Sequence, residues 1–172
     1  MRLTPIAPGT RPELAEVEAR ILAERGRISP LYQVLLNSPP IAHGWEQMLS
    51  AVRNRNSLAA DLRELAILRV AVLNRANYEF EAHAPIALSA GLSPQAMDAI
   101  RQVPLAQDAP LSEQQRLVID LADAMTRDIQ VPDALYQRVQ ASFDTRGRLD
   151  LVATIAAYNM VSRLLEALHI GH

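Results

Sequence analysis

The chain has 172 residues, which predicts one domain over 1–172, and its 49% hydrophobic and 21% charged residues exclude a disordered or fibrous protein. With 17 basic and 19 acidic residues, its net charge of −2 and lack of a dense basic block argue against nucleic acid as a partner. The chain has no cysteine, which excludes disulfides, thiolate metal ligands and thiol nucleophiles.

Apolar residues recur at helical spacing, and only 4% of residues are aromatic, so an all-α fold is expected. The first half of the chain is predicted to begin with a helix over 11–25 that stops at Gly26. A short helix follows Ser29-Pro30, and an amphipathic helix follows the breaker at 37–40. The stretch over 58–75 is apolar nearly all round, which indicates a central helix enclosed by its neighbours.

In the second half, a helix from Asn77 to Gly91 contains Pro85, which predicts a bend or irregular turn beside His83. Ser93-Pro94 opens a further short helix. Ser112 with Gln115 forms a capping-box pattern ahead of a helix that ends near Thr126. Another helix begins at Pro132 or Asp133 and stops at the breaker over 144–147.

The last helix is predicted from about 149 to 168 and is apolar around most of its circumference. Because it carries Asp150, Asn159, Arg163 and Glu166, we interpret it as a core or subunit-interface helix and not as a membrane span. The N-terminus has no apolar run of signal-peptide type. We therefore expect a cytoplasmic protein that does not associate with a membrane.

The pair most suited to chemistry is Glu79 and His83, which lie four residues apart on one helix face and can touch. A carboxylate beside an imidazole is a workable proton-transfer unit, because it fixes the ring's tautomer and stabilises the imidazolium. Glu64 lies within the apolar run over 58–75, where a charge needs a partner, and His83 is a candidate for that partner.

Two other interpretations of these residues stay open at this point. Glu79 and His83 could form an exposed helix-stabilising pair, with Glu64 bound to Arg63 or Arg69. A metal site made of Glu64, Glu79 and His83 is weaker, because it has one imidazole and no recognised ligand spacing.

A resemblance to a known family is carried by the segment RELAILRVAVLNRANYEFEAHAPIALSAGLSPQAMDAI, over 63–100, and by the C-terminal LVATIAAYNMVSRLLEALHIG. The first, within a core motif over 58–101, resembles the core of the carboxymuconolactone decarboxylase and alkyl hydroperoxidase D superfamily. The second is similar to the closing helix, over 149–168, of its decarboxylase-like branch. The resemblance implies a single-domain, all-helical bundle of the alkyl hydroperoxidase D-like type that assembles into a homotrimer or homohexamer.

The thiol-peroxidase members of this superfamily have a glutamate, a Cys-x-x-Cys pair and a histidine. Glu64 and His83 match the glutamate and the histidine, whereas Ala76 and Glu79 occupy the two cysteine positions. Peroxide reduction through a dithiol is therefore excluded on chemical grounds. The decarboxylases of the superfamily act on small carboxylated lactones by proton transfer, without a metal or an organic cofactor.

We therefore expect a cofactor-independent lyase or isomerase that acts by proton transfer on a small carboxylated lactone or carbonyl compound. His83 is the expected general acid or base, Glu79 its orienting partner or a second acid or base, and Glu64 the group that sets the histidine's protonation. Tyr78, Tyr158 and Arg163 are the candidate substrate-binding residues. Tyr158 and Arg163 form a polar patch with Asn159 on the last helix, and the residues alone favour core or subunit contacts over a pocket for this patch. The alternative function is non-catalytic binding of a small molecule by an oligomer on the same scaffold.

Overall fold

The structure is a computed structural model that describes residues 1–171, and within that range it contains helices and no β-strand. This confirms the all-α prediction. The helices are α1 (Ala15–Arg25), α2 (Pro30–Leu35), α3 (Pro39–Asn54), α4 (Ala60–Leu73), α5 (Asn77–Ser89), α6 (Pro94–Ala99), α7 (Glu113–Asp123), α8 (Asp133–Ser142) and α9 (Thr145–Leu168). A 3-10 turn (Pro12–Leu14) precedes α1, and a π-helical turn (Ala124–Asp128) follows α7.

Several helix ends lie where the sequence predicts them, with the expected local chemistry. Gly26 ends α1 in a left-handed conformation with φ 69°, which glycine adopts without a steric cost. The Ser93 hydroxyl accepts a hydrogen bond from the Ala96 N–H at the start of α6. Ser112 and Gln115 form the predicted capping box at the start of α7.

Two local predictions are wrong, and a third is wrong in part. The helix α9 begins at Thr145, because the Asp144 side chain accepts the Gly147 N–H at 2.7 Å and so caps the segment predicted as a breaker. Asn77 is the first residue of α5 and does not cap it; Ala76 precedes it without a side-chain cap. The helix α5 continues through Pro85 to Ser89, so no irregular turn interrupts it beside His83, whereas a bend at Pro85 stays a prediction.

Contacts divide the chain into two compact units. One comprises Met1–Arg55 with Leu165–His172, and the other comprises Asn56–Leu164. In the first unit α3 packs against α1 and α2, around a buried Glu46 carboxylate. Arg25 pairs with this carboxylate at 3.1 Å, and the hydroxyls of Tyr32 and Ser50 donate to it. Burial, together with the neighbouring Glu46, raises the pKa of Tyr32.

The second unit is centred on α4, which packs against both α5 and α7. Every residue of α4 over 64–71 is buried, as the apolar pattern of that stretch predicts. Two of these buried residues, Glu64 and Arg69, are charged, and both therefore need partners within the unit.

Of the helices within 1–171, α9 is the one that is long and apolar enough to cross a membrane, with 44% of its most apolar window buried in the protein. A core helix of a folded protein has the same length and composition. The buried Thr154, Tyr158 and Asn159 of α9 all form hydrogen bonds to protein atoms. The cytoplasmic location stays a prediction.

Candidate active site

The candidate site forms where α5 folds back against α4 through the short turn over 74–76, in which Arg75 adopts a left-handed φ of 58°. His83 on α5 lies between two carboxylates. Its Nδ1 is 2.6 Å from Oε2 of Glu64 on α4, and its Nε2 is 3.1 Å from Oε1 of Glu79, one turn earlier on α5. The structure thus brings together the three residues predicted from the sequence to act in proton transfer.

Tyr158 of α9 completes this group, which we call the acid–base cluster: Glu64, Glu79, His83 and Tyr158. The Tyr158 hydroxyl lies 3.3 Å from Nε2 of His83, and its ring meets the imidazole edge to face with centroids 5.2 Å apart. Nε2 therefore has two oxygen neighbours, at 3.1 and 3.3 Å, whereas Nδ1 has a single oxygen neighbour at 2.6 Å.

All four side chains of the acid–base cluster are buried, with Glu64 only 1% and His83 only 3% exposed. The interpretation of Glu79 and His83 as an exposed helix pair is therefore wrong. The expected pairing of Glu64 with an arginine holds in part, because Arg63 Nε is 3.2 Å from Oε1 of Glu64. Arg69 does not contact Glu64 and pairs with Asp123.

The two carboxylates determine the protonation of the imidazole. Burial by itself lowers the pKa of His83, but the hydrogen bonds and negative charges of Glu64 and Glu79 outweigh it and raise the pKa above its ordinary value. Burial by itself raises the pKa of Glu64, whereas His83 and Arg63 stabilise the carboxylate and lower the pKa overall. The two carboxylates therefore favour the imidazolium over the neutral ring, and an imidazolium can donate from both ring nitrogens.

These pKa shifts predict a pH-dependent free energy of unfolding. Because the pKa of His83 is raised in the folded protein, its charged form adds to the free energy of unfolding in full when the pH is below the ordinary pKa of 6.5. This contribution is lost as the pH rises through the folded-state pKa. Because the pKa of Glu64 is lowered in the folded protein, its carboxylate adds to the free energy of unfolding when the pH is above the ordinary pKa of 4.5. This contribution is lost as the pH falls through the folded-state pKa. Both contributions are complete between about pH 4.5 and 6.5.

Urea unfolding at about pH 5.5 and about pH 9 measures this effect. The wild-type protein is expected to lose stability between the two values, and Glu64→Gln, which lacks one carboxylate partner of His83, is expected to lose less. Equal losses in the two proteins contradict the prediction.

The other predicted substrate-binding residues lie at the edge of the acid–base cluster or outside it. Tyr78 is half-buried in the first turn of α5, directly before Glu79. Arg163 is exposed on α9, and its Nη1 donates to the Asn159 side-chain oxygen at 2.6 Å. Arg163 thus belongs to a neighbouring polar network and, with Tyr78, stays a prediction as a substrate-binding residue.

That network contains residues that the sequence analysis did not assign to the site. Asn74, at the end of α4, donates to the side chains of Asn159 and Ser162 on α9, and Asn159 donates to Thr126 in the π-helical turn. No sequence signal identifies Asn74, Thr126 or Ser162, because each is an ordinary polar residue in or beside a helix. Asn159 is different, since it lies in the polar patch of the last helix.

Within the described residues 1–171, no group of three or more histidine, aspartate or glutamate side chains is arranged to hold a metal ion. A cleft of about 340 Å³ lies beside α6, and it is lined by Gln95, Asp98, Ala99, Gln102, Ala106, Asp108, Ala109 and Pro110. None of the residues predicted for the site lines this cleft.

The fold and the site define an all-helical protein with a buried, cysteine-free glutamate–histidine cluster. The model of the carboxymuconolactone decarboxylase family matches residues 39–124, which is half of the chain. The protein belongs to this family, as the sequence resemblance implies.

Solved structures share the fold across nearly the whole chain. An uncharacterised peroxidase-related protein from Ralstonia eutropha, with an alkylhydroperoxidase AhpD core, is 17% identical over 98% of this chain and 90% of its own, with a TM-score of 0.82. A peroxidase-related protein from Silicibacter is 19% identical over 96% and 87%, with a TM-score of 0.79. The debrominase Bmp8 is 13% identical over 98% and 90%, with a TM-score of 0.79. At these identities the likeness shows the fold alone, and no curated protein matches the sequence.

Proposed function

We propose that this protein is a cofactor-independent acid–base enzyme, of lyase or isomerase type, that acts on a small carboxylated lactone or carbonyl compound. The observation that supports this most is the position of His83, whose two ring nitrogens are each hydrogen-bonded to a buried carboxylate. A buried imidazolium beside a second ionisable group is suited to donating a proton to one atom of a substrate and accepting one from another.

The two ends of the imidazole have different roles in this proposal. The short contact of Nδ1 with Glu64 fixes the ring and keeps it protonated. Nε2 has the longer contacts, to Glu79 and Tyr158, and its proton is the one available for transfer. After a carbon–carboxyl bond breaks and carbon dioxide leaves, this proton would go to the carbon, and Glu79 would return a proton from solvent to the ring.

A substrate is expected to reach the cluster from the side of Glu79. The Glu79 side chain is 8% exposed, compared with 4% for His83 and 1% for Glu64. Glu79 also lies in the first turn of α5, where the helix dipole favours a negative charge. Its carboxylate is therefore the proposed second acid or base.

One observation favours the alternative, a non-catalytic small-molecule-binding protein. The whole acid–base cluster is packed, and its hydrogen bonds are satisfied within the chain, as in a purely structural network. The two functions differ in whether a bound compound is converted to a product.

A thermal-shift screen of carboxylated lactones and enol acids, followed by product analysis, tests the proposed function. A ligand of the site is expected to raise the melting temperature increasingly with its concentration. Glu79→Gln is expected to reduce this increase, whereas His43→Gln, on α3, is the matched control and is expected to preserve it. Binding without product formation supports the alternative, and the absence of any hit that depends on Glu79 contradicts both.

We also propose that the protein is a homotrimer or homohexamer, as the resemblance implies. Large apolar side chains exposed on α5 and α9, among them Leu88, Leu149 and Met160, support a contact between copies. Light scattering coupled to gel filtration tests this proposal, and a monomeric mass at micromolar concentration contradicts it.

A further inference from the structure

The turn between α4 and α5 is held to α9 by side-chain amides. Asn74 directly follows the last residue of α4, and its Nδ2 donates to Oδ1 of Asn159 at 3.0 Å and to Oγ of Ser162 at 2.7 Å. These bonds join residues more than 80 positions apart in the sequence. They are therefore tertiary contacts that fix one element of the unit against another.

The nitrogen and the oxygen of the Asn159 side-chain amide each form two hydrogen bonds, and the residue is only 9% exposed. Its Nδ2 donates to Oγ1 of Thr126 at 2.9 Å and to the Ile155 carbonyl at 3.0 Å. Its Oδ1 accepts from Asn74 and, at 2.6 Å, from Arg163. One amide orientation satisfies all four bonds. The bond from Asn74 is the one that joins Asn159 and α9 to the α4–α5 turn, whereas the bond to Thr126 joins Asn159 to the π-helical turn.

Both anchored segments carry members of the acid–base cluster. Asn74 is the first residue of the turn over 74–76, after which α5 presents Glu79 and His83. Asn159 is adjacent to Tyr158, whose hydroxyl approaches Nε2 of His83. The Asn74–Asn159 pair therefore affects the surroundings of the imidazole in two ways. Asn74 anchors the turn that leads into α5, and Asn159 fixes the part of α9 that carries Tyr158.

We infer that Asn74 and Asn159 are positioning residues of the acid–base cluster, which hold the α4–α5 turn and α9 in the register that places His83 between its carboxylates and Tyr158. Neither amide contacts the imidazole in this arrangement. The role in a reaction rests on the proposed function, whereas the effect on the geometry of His83 does not.

If the same network only stabilised the packing, its removal would lower the free energy of unfolding without a specific effect on the titration midpoint of His83. The two roles are separated by a change at each end of the network. Asn74→Leu removes the bonds that anchor the turn at a backbone conformation, φ −88°, that leucine tolerates. Thr126→Val removes a buried hydrogen bond of Asn159 with an isosteric side chain and leaves Asn74 in place.

The experiment follows the His83 ring nitrogens by 1H–15N correlation NMR as a function of pH in the 15N-labelled chain of 172 residues, with His83→Gln to assign the signals. Asn74→Leu is expected to lower the His83 titration midpoint by about half a pH unit or more, because the carboxylate contacts lengthen. Ser162→Ala, which removes one of Asn74's two acceptors, is expected to lower it by less. Thr126→Val is expected to keep the wild-type midpoint.

The inference is overturned if Asn74→Leu and Ser162→Ala both fold with a wild-type midpoint, or if Thr126→Val shifts the midpoint as far as they do. Should Asn74→Leu not fold, the comparison of Ser162→Ala with Thr126→Val decides the question alone. The measurement needs no substrate. A failure to find turnover would therefore contradict the proposed function and leave this result unaffected.

Discussion

Replacing His83 with alanine is expected to lower turnover of the substrate by about 10²-fold or more, and Glu79→Gln is expected to do the same. The alanine variant loses the proton carried between Glu64 and Glu79, and the glutamine variant keeps the shape of Glu79 without its charge. Steady-state kinetics on the compound that the ligand screen identifies measure the effect. The loss should appear in kcat, because proton transfer occurs in the transition state.

Two further variants show whether these losses are specific. His43→Gln changes a histidine of α3 that contacts Arg20 and is expected to retain wild-type kcat. His83→Gln keeps a hydrogen-bonding side chain at the site without a titrating ring and is expected to be as inactive as His83→Ala. Because His83→Ala leaves two buried carboxylates without their partner, its melting temperature is expected to fall. A native circular dichroism spectrum at the assay temperature therefore distinguishes lost chemistry from lost folding. Wild-type activity in both His83→Ala and Glu79→Gln rules out the proposed roles.

The local part of the site could be predicted from the sequence. The spacing of Glu79 and His83 fixes their contact, since residues four apart share a helix face. The cost of a buried, unpaired carboxylate indicates that Glu64 needs a partner, and His83 is that partner at 2.6 Å. These predictions succeed because they depend on helix geometry and on the energetics of single charges.

The tertiary part of the site could not be predicted in this way. Tyr158 and His83 are 75 residues apart, and no local pattern indicates which of several polar residues on α9 faces the imidazole. The burial of Glu79 depends on the packing of α5 and not on its own sequence, so spacing alone favours an exposed pair. The network of Asn74 and Asn159 joins three helical segments and leaves no periodic signal in any of them.

The two positions that carry cysteines in the thiol-peroxidase members have different environments here. Ala76 is fully buried directly before α5, and Glu79 places a carboxylate next to His83. A carboxylate supplies a base and a negative charge but neither a sulfenate nor a disulfide. The substitution therefore preserves proton transfer at the imidazole and removes redox chemistry through a thiol.

The largest expected effect on stability is that of Arg69→Met, which should lower the free energy of unfolding by about 3–5 kcal/mol. Arg69 is fully buried, and its guanidinium forms a forked pair with the Asp123 carboxylate at 2.5 and 2.7 Å. It also donates to the carbonyls of Ile100 and Gln102, at 2.8 and 2.7 Å. Methionine leaves the two carbonyls and the Asp123 carboxylate, whose side chain is 22% exposed, without these donors. The burial of these groups is then compensated less well.

A matched control is offered by Arg138, whose partner Asp120 lies on α7 three residues before Asp123. Because both side chains of this pair are exposed, Arg138→Met is expected to change the free energy of unfolding by no more than about 1 kcal/mol. Urea denaturation of the two variants under one set of conditions measures the difference. The expected loss at Arg69 arises from its burial and from its four simultaneous hydrogen bonds. Equal losses in the two variants would contradict the role of Arg69 as the residue that links α4, α7 and the end of α6.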